Sequence, residues 1–286
     1  MSEAAFAHCE ALVREGDPDR YFPTLFAPAD KRPYLHALYA FSLEVSRIRE
    51  AVTQSLAGEI RLQWWRDALS GEARGDASAN PVAAALEETI ARFSLPRAAL
   101  LALIDARTHD LYDDPIATLN DLEGYCGETY SAIFRLASLV LADGRDPGAA
   151  DAAGHGGVAW AMTGLMRAFP WTARRGQLYL PPLDILAEHG LARNDVVSGR
   201  GGEALKAALR QMRDGAREHL ALAQAALADA DPRIGPAFLP LALVPLYLDA
   251  MERSGYAPFD DVVEVPLWRR LWRLWRASRA GFRGAG

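Results

Sequence analysis

The sequence predicts an all-α protein that forms a single domain of roughly ten helices. Apolar residues recur at steps of three or four in one segment after another, which is the spacing of one face of an α-helix. No alternating apolar and polar run of strand type is longer than four residues. Half of the 286 residues are apolar, and a chain of this length can bury about three quarters of its unfolded surface. We therefore expect helices packed around one sizeable core, with residues 1–286 as one domain.

The predicted helices follow one another with short connections that contain glycine or proline. A Gly-Asp-Pro-Asp turn at 16–19 ends the first helix, and the polar, glycine-containing stretch 71–80 is typical of a loop. Pro170 is expected to kink or end the central helix that starts at Gly156. The other predicted helices span residues 31–55, 59–69, 81–93, 96–113, 119–141, 203–228, 236–252 and 265–286.

Composition and charge exclude several classes of protein. The formal net charge of −6 is spread along the chain, which argues against nucleic acid as a partner because a duplex needs a concentrated basic face. Two cysteines, Cys9 and Cys126, are too few for a disulfide framework or a zinc site. The longest apolar run, 238–248, is interrupted by prolines and too short to cross a bilayer. With no targeting segment evident at the N-terminus, we expect a cytoplasmic protein that could lie peripherally on the inner face of the membrane.

Three sequence motifs carry a family resemblance. Residues 37–41 read ALYAF, residues 58–69 read GEIRLQWWRDAL and residues 174–181 read RRGQLYLP. On these motifs, together with Arg167, the chain resembles the squalene/phytoene synthase family, and the similarity fades after about residue 190. The resemblance implies an isoprenoid-synthase-type helical bundle around a central cavity.

In that family, two facing helices present aspartate-rich motifs that hold magnesium ions, and the ions hold isoprenyl diphosphates. Here the positions of those carboxylates are occupied by other residues, namely Ser46, Arg47 and Glu50 in the first motif and Ala168, Trp171 and Thr172 in the second. Arginine at a divalent-metal site opposes metal binding, because two positive charges repel each other strongly in a cleft. The resemblance therefore implies the scaffold without metal ligands, catalytic residues or a cofactor, and Trp171 could fill the former diphosphate space.

The GEIRLQWWRDAL phrase, together with the missing aspartates, is similar to the branch of the family that contains the mitochondrial complex I assembly factor. That resemblance implies a non-enzymatic role in assembling the respiratory NADH dehydrogenase at a membrane face, with complex I subunits or assembly factors as partners. Two alternatives stay open. One is a prenyl transferase that condenses isoprenyl diphosphates, with Mg²⁺ or with arginines in place of the metal. The other is a non-catalytic carrier of an isoprenoid or lipid. Candidate contacts to phosphate or ligand are Tyr39, Arg61, Arg167, Arg175 and Tyr179.

The predicted C-terminal helix is rich in tryptophan and arginine. Its candidate membrane contacts are Trp268, Trp272, Trp275, Arg269 and Arg273. Such a helix could lie among lipid headgroups, with tryptophans inserted and arginines near anionic lipid. It could equally dock on the body of the protein, since arginine stems and tryptophan rings also cover apolar surface. The sequence leaves these two interpretations open.

Overall fold

The computed structural model describes residues 2–72 and 77–280, and all regular structure in these residues is helical. This confirms the all-α prediction. The α-helices are α1 Ser2–Gly16, α2 Pro18–Thr24, α3 Arg32–Ser46, α4 Ser55–Ser70, α5 Pro81–Phe93, α6 Arg97–Arg107, α7 Leu119–Cys126, α8 Ala132–Leu141, α9 Ala150–Arg174, α10 Leu183–Glu188, α11 Arg193–Val197, α12 Gly202–Leu227, α13 Gly235–Phe238, α14 Val244–Ala250 and α15 Leu267–Ala280. Residues 73–76 of the predicted loop and residues 281–286 of the predicted C-terminal helix lie outside the described ones. None of the described helices is long and apolar enough to cross a membrane.

Helix α9 lies at the centre of the bundle. Its first half is rich in alanine and glycine, so neighbouring helices approach its backbone closely, and it packs mainly against α12. The closest approach is at Gly157, where an added Cβ would lie 2.4 Å from the backbone nitrogen of Ser131. Ser131 ends a π-helical turn, Gly127–Ser131, that joins α7 to α8, and its hydroxyl donates to the Gly154 carbonyl at 2.8 Å. This contact sets the position of α9 against the π turn.

The helix predicted over residues 31–55 ends earlier than its apolar spacing indicated. Helix α3 stops at Ser46, whose hydroxyl donates to the Leu43 carbonyl at 2.9 Å, and α4 begins only at Ser55. Between them the amides of Glu50 and Ala51 donate to carbonyls three residues earlier at 3.1 Å, so the chain forms tight turns. The apolar spacing continues past this point, since Ile48 is still buried, so spacing alone does not show where the helix ends.

Pro170 does not end α9, which continues to Arg174 with the proline inside it. Proline removes one backbone hydrogen bond, which normally disfavours a helix interior. Here Pro170 and the neighbouring Phe169 are both buried, and tertiary packing of this segment outweighs the missing bond.

Candidate functional site

The two helices that carry the expected motifs, α3 and α9, face each other across a cleft of about 240 Å³. Sites for small molecules usually have volumes of roughly 300–1,000 Å³, so this cleft is small for a long isoprenoid. Several charged and polar residues line it, including Asp17, Asp19, Arg20, Arg107, Arg167 and Tyr247. The cleft lies where the family resemblance places the reaction site.

Only one residue of each altered motif lines this cleft. Ser46 lies at the end of α3, and Ala168 lies across from it on α9. Arg47 is exposed and donates to the carbonyl of Gly16 at 3.2 Å. Arg47 therefore does not line the cleft, because α3 ends just before it and its guanidinium contacts Gly16. Its effect on a metal ion in the cleft stays a prediction.

The remaining motif residues do not fill the cleft. Glu50 is exposed in the turn after α3. Trp171 is 56% exposed at the far end of α9, so it does not occupy a former diphosphate space. Thr172 is half-buried, and its hydroxyl donates to the Phe169 carbonyl at 3.4 Å.

Asp19 connects several helices at the cleft through its carboxylate. Its carboxylate accepts a hydrogen bond from Arg270 at 2.6 Å, one from the Tyr247 hydroxyl at 2.5 Å and a longer one from Arg167 at 3.4 Å. The Arg167 guanidinium also stacks over the Tyr247 ring, 3.8 Å from its centroid, and burial raises the pKa of the Tyr247 hydroxyl. Through Asp19, helix α2 is joined to α9, α14 and α15.

Two further arginines are buried beside the cleft. Arg20 donates to Asp17 and to the Ser42 hydroxyl, both at 3.4 Å, and burial raises the pKa of the Asp17 carboxyl. Arg107 donates to Asp110 at 3.1 Å and to the Tyr125 hydroxyl at 2.7 Å. The carboxylates near the cleft are thus paired with guanidinium groups.

These residues do not fit a magnesium site. Mg²⁺ takes oxygen ligands in near-octahedral geometry and usually binds through carboxylates. The two carboxylates that line the cleft, Asp17 and Asp19, face Arg20, Arg167 and Arg270. No group of three or more histidine, cysteine, aspartate or glutamate residues suited to a metal lies within the described part of the chain. The cleft therefore differs from the family pattern in two ways. Other residues occupy the positions of the metal-binding carboxylates, and the carboxylates that line the cleft face arginines.

Of the candidate ligand contacts, only Arg167 lines the cleft. Tyr39 is buried, with the Arg20 guanidinium 5.5 Å from its ring centroid. Arg61 is exposed on α4, and Arg175 is exposed at the end of α9. Tyr179 packs 6.0 Å from the ring of Tyr125, centroid to centroid. The structure therefore separates four of the five residues from the cleft lining.

The sequence predicted no role in the cleft for Asp19, Arg20, Arg107 or Arg270. Asp19 and Arg270 are 251 positions apart, and no local spacing connects them. The one available signal was the polar character of a short helix that also holds the buried Pro23 and Thr24.

A second, larger cavity of about 990 Å³ lies at another place in the fold. It is bounded by the loop after α2, the end of α12, α13 and the last turn of α15. Apolar side chains form much of its wall, including Phe26, Leu141, Leu227 and Leu239.

Helix α15 presents two different faces. On its inner face Leu274 is buried, Arg270 binds Asp19, and Arg273 donates to the Ala242 carbonyl at 3.2 Å. On its outer face the three tryptophans are 43–70% exposed, namely Trp268, Trp272 and Trp275. Arg269 is half-buried between the two faces. Helix α15 is therefore docked on the protein through its inner face, and the tryptophans of its outer face remain accessible.

Comparison with known proteins agrees with the helical fold. The family model for squalene/phytoene synthase matches residues 13–276. The chain is 27% identical to complex I assembly factor 6 of Rattus norvegicus, with 93% of this chain and 81% of that protein covered. It is 26% identical to the phytoene synthase of Arthrospira platensis, with 92% and 89% covered. A solved dehydrosqualene synthase superposes with a TM-score of 0.80 at 19% identity, covering 98% of this chain and 97% of that one, and at this identity the likeness shows the fold alone.

Proposed function

Since this chain belongs to the squalene/phytoene synthase family, we propose that it is a non-catalytic member of the family that helps to assemble the respiratory NADH dehydrogenase. Its partners would be subunits or assembly factors of that complex. Relatives that match over most of the chain support this role, because complex I assembly factor 6 of Rattus norvegicus and of Homo sapiens is among them. The assembly would take place at a membrane face, since the proposed client is a membrane enzyme.

One observation carries the non-catalytic part of the proposal. Where the family pattern has metal-binding carboxylates, Ser46 and Ala168 line the cleft. The carboxylate of Asp19 is instead held by Arg167 and Arg270. Loss of diphosphate is accelerated when a divalent cation neutralises the leaving group, and the cleft offers no free pair of carboxylates to hold one. An enzyme with this cleft would need a different means of stabilising the departing charge.

The catalytic part is tested with purified protein and farnesyl or geranylgeranyl diphosphate, with and without Mg²⁺. We expect no release of diphosphate above the rate without protein, while an active phytoene synthase serves as the positive control. Circular dichroism on the same sample verifies that the protein is folded. Turnover that depends on Arg167 would support the prenyl transferase alternative and overturn this part of the proposal.

The assembly part is tested by deleting the gene in its own host. We expect less assembled NADH dehydrogenase on native gels and less NADH oxidation by isolated membranes. The wild-type gene should restore both, whereas a gene for an active phytoene synthase should restore neither. Rescue by the synthase would mean that the missing factor is an isoprenoid product and not this protein. Normal NADH dehydrogenase levels in the deletion strain would exclude the assembly role.

A carrier of an apolar lipid or isoprenoid is a second candidate, favoured by the 990 Å³ cavity with Phe26, Leu141 and Leu239 in its wall. Its volume lies at the upper end of the range for small-molecule sites. Native mass spectrometry of the purified protein tests this idea. A co-purifying apolar molecule that is lost when Leu239 is replaced by arginine would support it, and a ligand-free mass throughout would exclude it.

A further inference from the structure

The outer face of α15 is an exposed tryptophan stripe. At about 100° per residue, Trp268, Trp272 and Trp275 fall within roughly 60° of one another around the helix. Their exposed fractions are 70%, 56% and 43%. The rings of Trp272 and Trp275 stack with centroids 5.1 Å apart. Leu271, 38% exposed, lies at the edge of the stripe.

The opposite face of the helix explains why this stripe is held in place. Leu274 is 1% exposed, and the Arg270–Asp19 contact of 2.6 Å links α15 to the cleft. The stripe therefore belongs to a helix anchored along its length and not to a loose tail. Because the three tryptophans span about 10 Å of the helix axis, a flat surface can meet all of them at once.

Charge identifies the kind of surface that fits. Between residues 265 and 280 there are five arginines and no acidic residue, although the whole chain has a net charge of −6. Arg270 and Arg273 are directed inward, whereas Arg276 and Arg279 are exposed. The guanidinium of Arg279 lies 5.0 Å from the centroid of the Trp275 ring. Exposed tryptophan beside arginine is the pattern of a helix that lies in the headgroup region of an anionic bilayer.

We propose that the outer face of α15 is a docking surface for an anionic lipid bilayer, with Trp268, Trp272 and Trp275 among the headgroups and Arg276 and Arg279 near lipid phosphates. The helix lies parallel to the membrane and stays bound to the protein through its inner face. This inference deepens the proposed function, because it supplies the membrane location at which assembly would take place. It does not depend on the identity of the client, since binding to lipid vesicles that contain no other protein tests it.

The test is flotation of the full-length protein with vesicles of phosphatidylcholine, alone or mixed with phosphatidylglycerol. We expect binding to the mixed vesicles, weak binding to phosphatidylcholine alone, and a decrease in binding as salt screens the charges. The triple variant Trp268→Ala/Trp272→Ala/Trp275→Ala should bind the mixed vesicles about tenfold less tightly or worse. The double variant Arg276→Glu/Arg279→Glu should lose at least about tenfold as well.

Matched controls separate the local surface from general effects. Arg14→Glu/Arg135→Glu changes the net charge by the same amount at two exposed arginines on other helices, and it should leave binding within about twofold of wild type. Leu56→Ala/Ile60→Ala removes two exposed apolar side chains of α4, 65% and 64% exposed, and should behave likewise. Circular dichroism and gel filtration verify the fold of each variant.

Several outcomes would overturn the proposal. They are equal binding to neutral and anionic vesicles, wild-type binding by the folded tryptophan variant, and an equal loss of binding in the matched controls. If the protein binds membranes from its host but not pure lipid vesicles, the α15 face recognises a membrane protein and the lipid proposal is wrong. Failure of the gene-deletion experiment leaves the vesicle result unaffected, so the two hypotheses fail separately.

Discussion

Replacing Gly157 with alanine should force α9 away from the π turn and lower the free energy of unfolding. An added Cβ would lie 2.2 Å from the hydroxyl oxygen of Ser131 and 2.4 Å from both its Cα and its backbone nitrogen. Ordinary van der Waals contact begins at 3.4 Å. The serine hydroxyl can rotate away, but the backbone atoms cannot. The helix and the turn must therefore separate by about 1 Å in a close-packed interior.

The magnitude follows from two opposing effects. Overpacking a core usually costs about 1–3 kcal/mol, and the upper part of that range applies because backbone meets backbone. Alanine recovers at most about 1 kcal/mol over glycine within a helix. The net loss in the free energy of unfolding should be about 2 kcal/mol, and the melting temperature of a chain of this length should fall by about 3–4 °C.

Chemical denaturation of three variants measures this effect. Gly154→Ala is the matched control, because the same helix offers open space within 4 Å of its Cβ, and it should stabilise the protein by up to about 1 kcal/mol. Ser131→Gly combined with Gly157→Ala removes the hydroxyl but keeps the backbone contacts, so more than half of the loss should persist. Full recovery in the double variant, or an unchanged stability of Gly157→Ala, would refute the backbone argument.

Three further outcomes are expected. Asp19→Asn removes the carboxylate charge that Arg270 faces, so the free energy of unfolding should fall by about 3 kcal/mol, and α15 should become sensitive to protease. A loss below about 1 kcal/mol would mean that the contact is as weak as a surface ion pair. Burial lowers the pKa of His36 from its ordinary value of 6.5 to about 4, so proton uptake favours the unfolded state as the pH falls from 6.5 towards 4. The free energy of unfolding should be about 3 kcal/mol lower near pH 4 than near pH 6.5. The His36→Phe variant should have a flatter stability–pH curve in this range, and an unchanged curve would contradict the assignment to His36. Burial raises the pKa of the Cys9 and Cys126 thiols to about 12, so an aromatic disulfide reagent at neutral pH should label them only after unfolding; rapid labelling of the native protein would show that one of them is accessible.

Apolar spacing predicted most of the helices well. The segment predicted at 81–93 is α5, Pro81–Phe93, where Asn80 caps the first turn and Pro81 occupies its start. The segment predicted at 203–228 is α12, Gly202–Leu227. The prediction worked because an amphipathic face is a local property of consecutive residues. It was less accurate at Ser46, where the helix ends although Ile48 is still buried, and at Pro170, which is buried inside a helix that continues.

The candidate site was predictable only in part. The missing carboxylates were visible because the motifs at 37–41 and 174–181 set the alignment. The side-chain positions of the residues that replace them were not visible. Arg47 is an example, since α3 ends one residue earlier and the Arg47 guanidinium contacts Gly16. A residue matched by alignment keeps its place in the family pattern, but the direction of its side chain depends on where the helix ends.

The amino-acid sequence by itself determined the all-α class, the family and the amphipathic C-terminal helix, because each of these is encoded in residues that are close in the chain. Only the tertiary structure decided which charges meet. Asp19 pairs with Arg167 and Arg270 across separations of 148 and 251 residues, and the same pairing decides which side of α15 is buried and which side exposes its tryptophans. Local patterns cannot encode such contacts, because they form only when distant helices pack together and burial makes an unpaired charge costly.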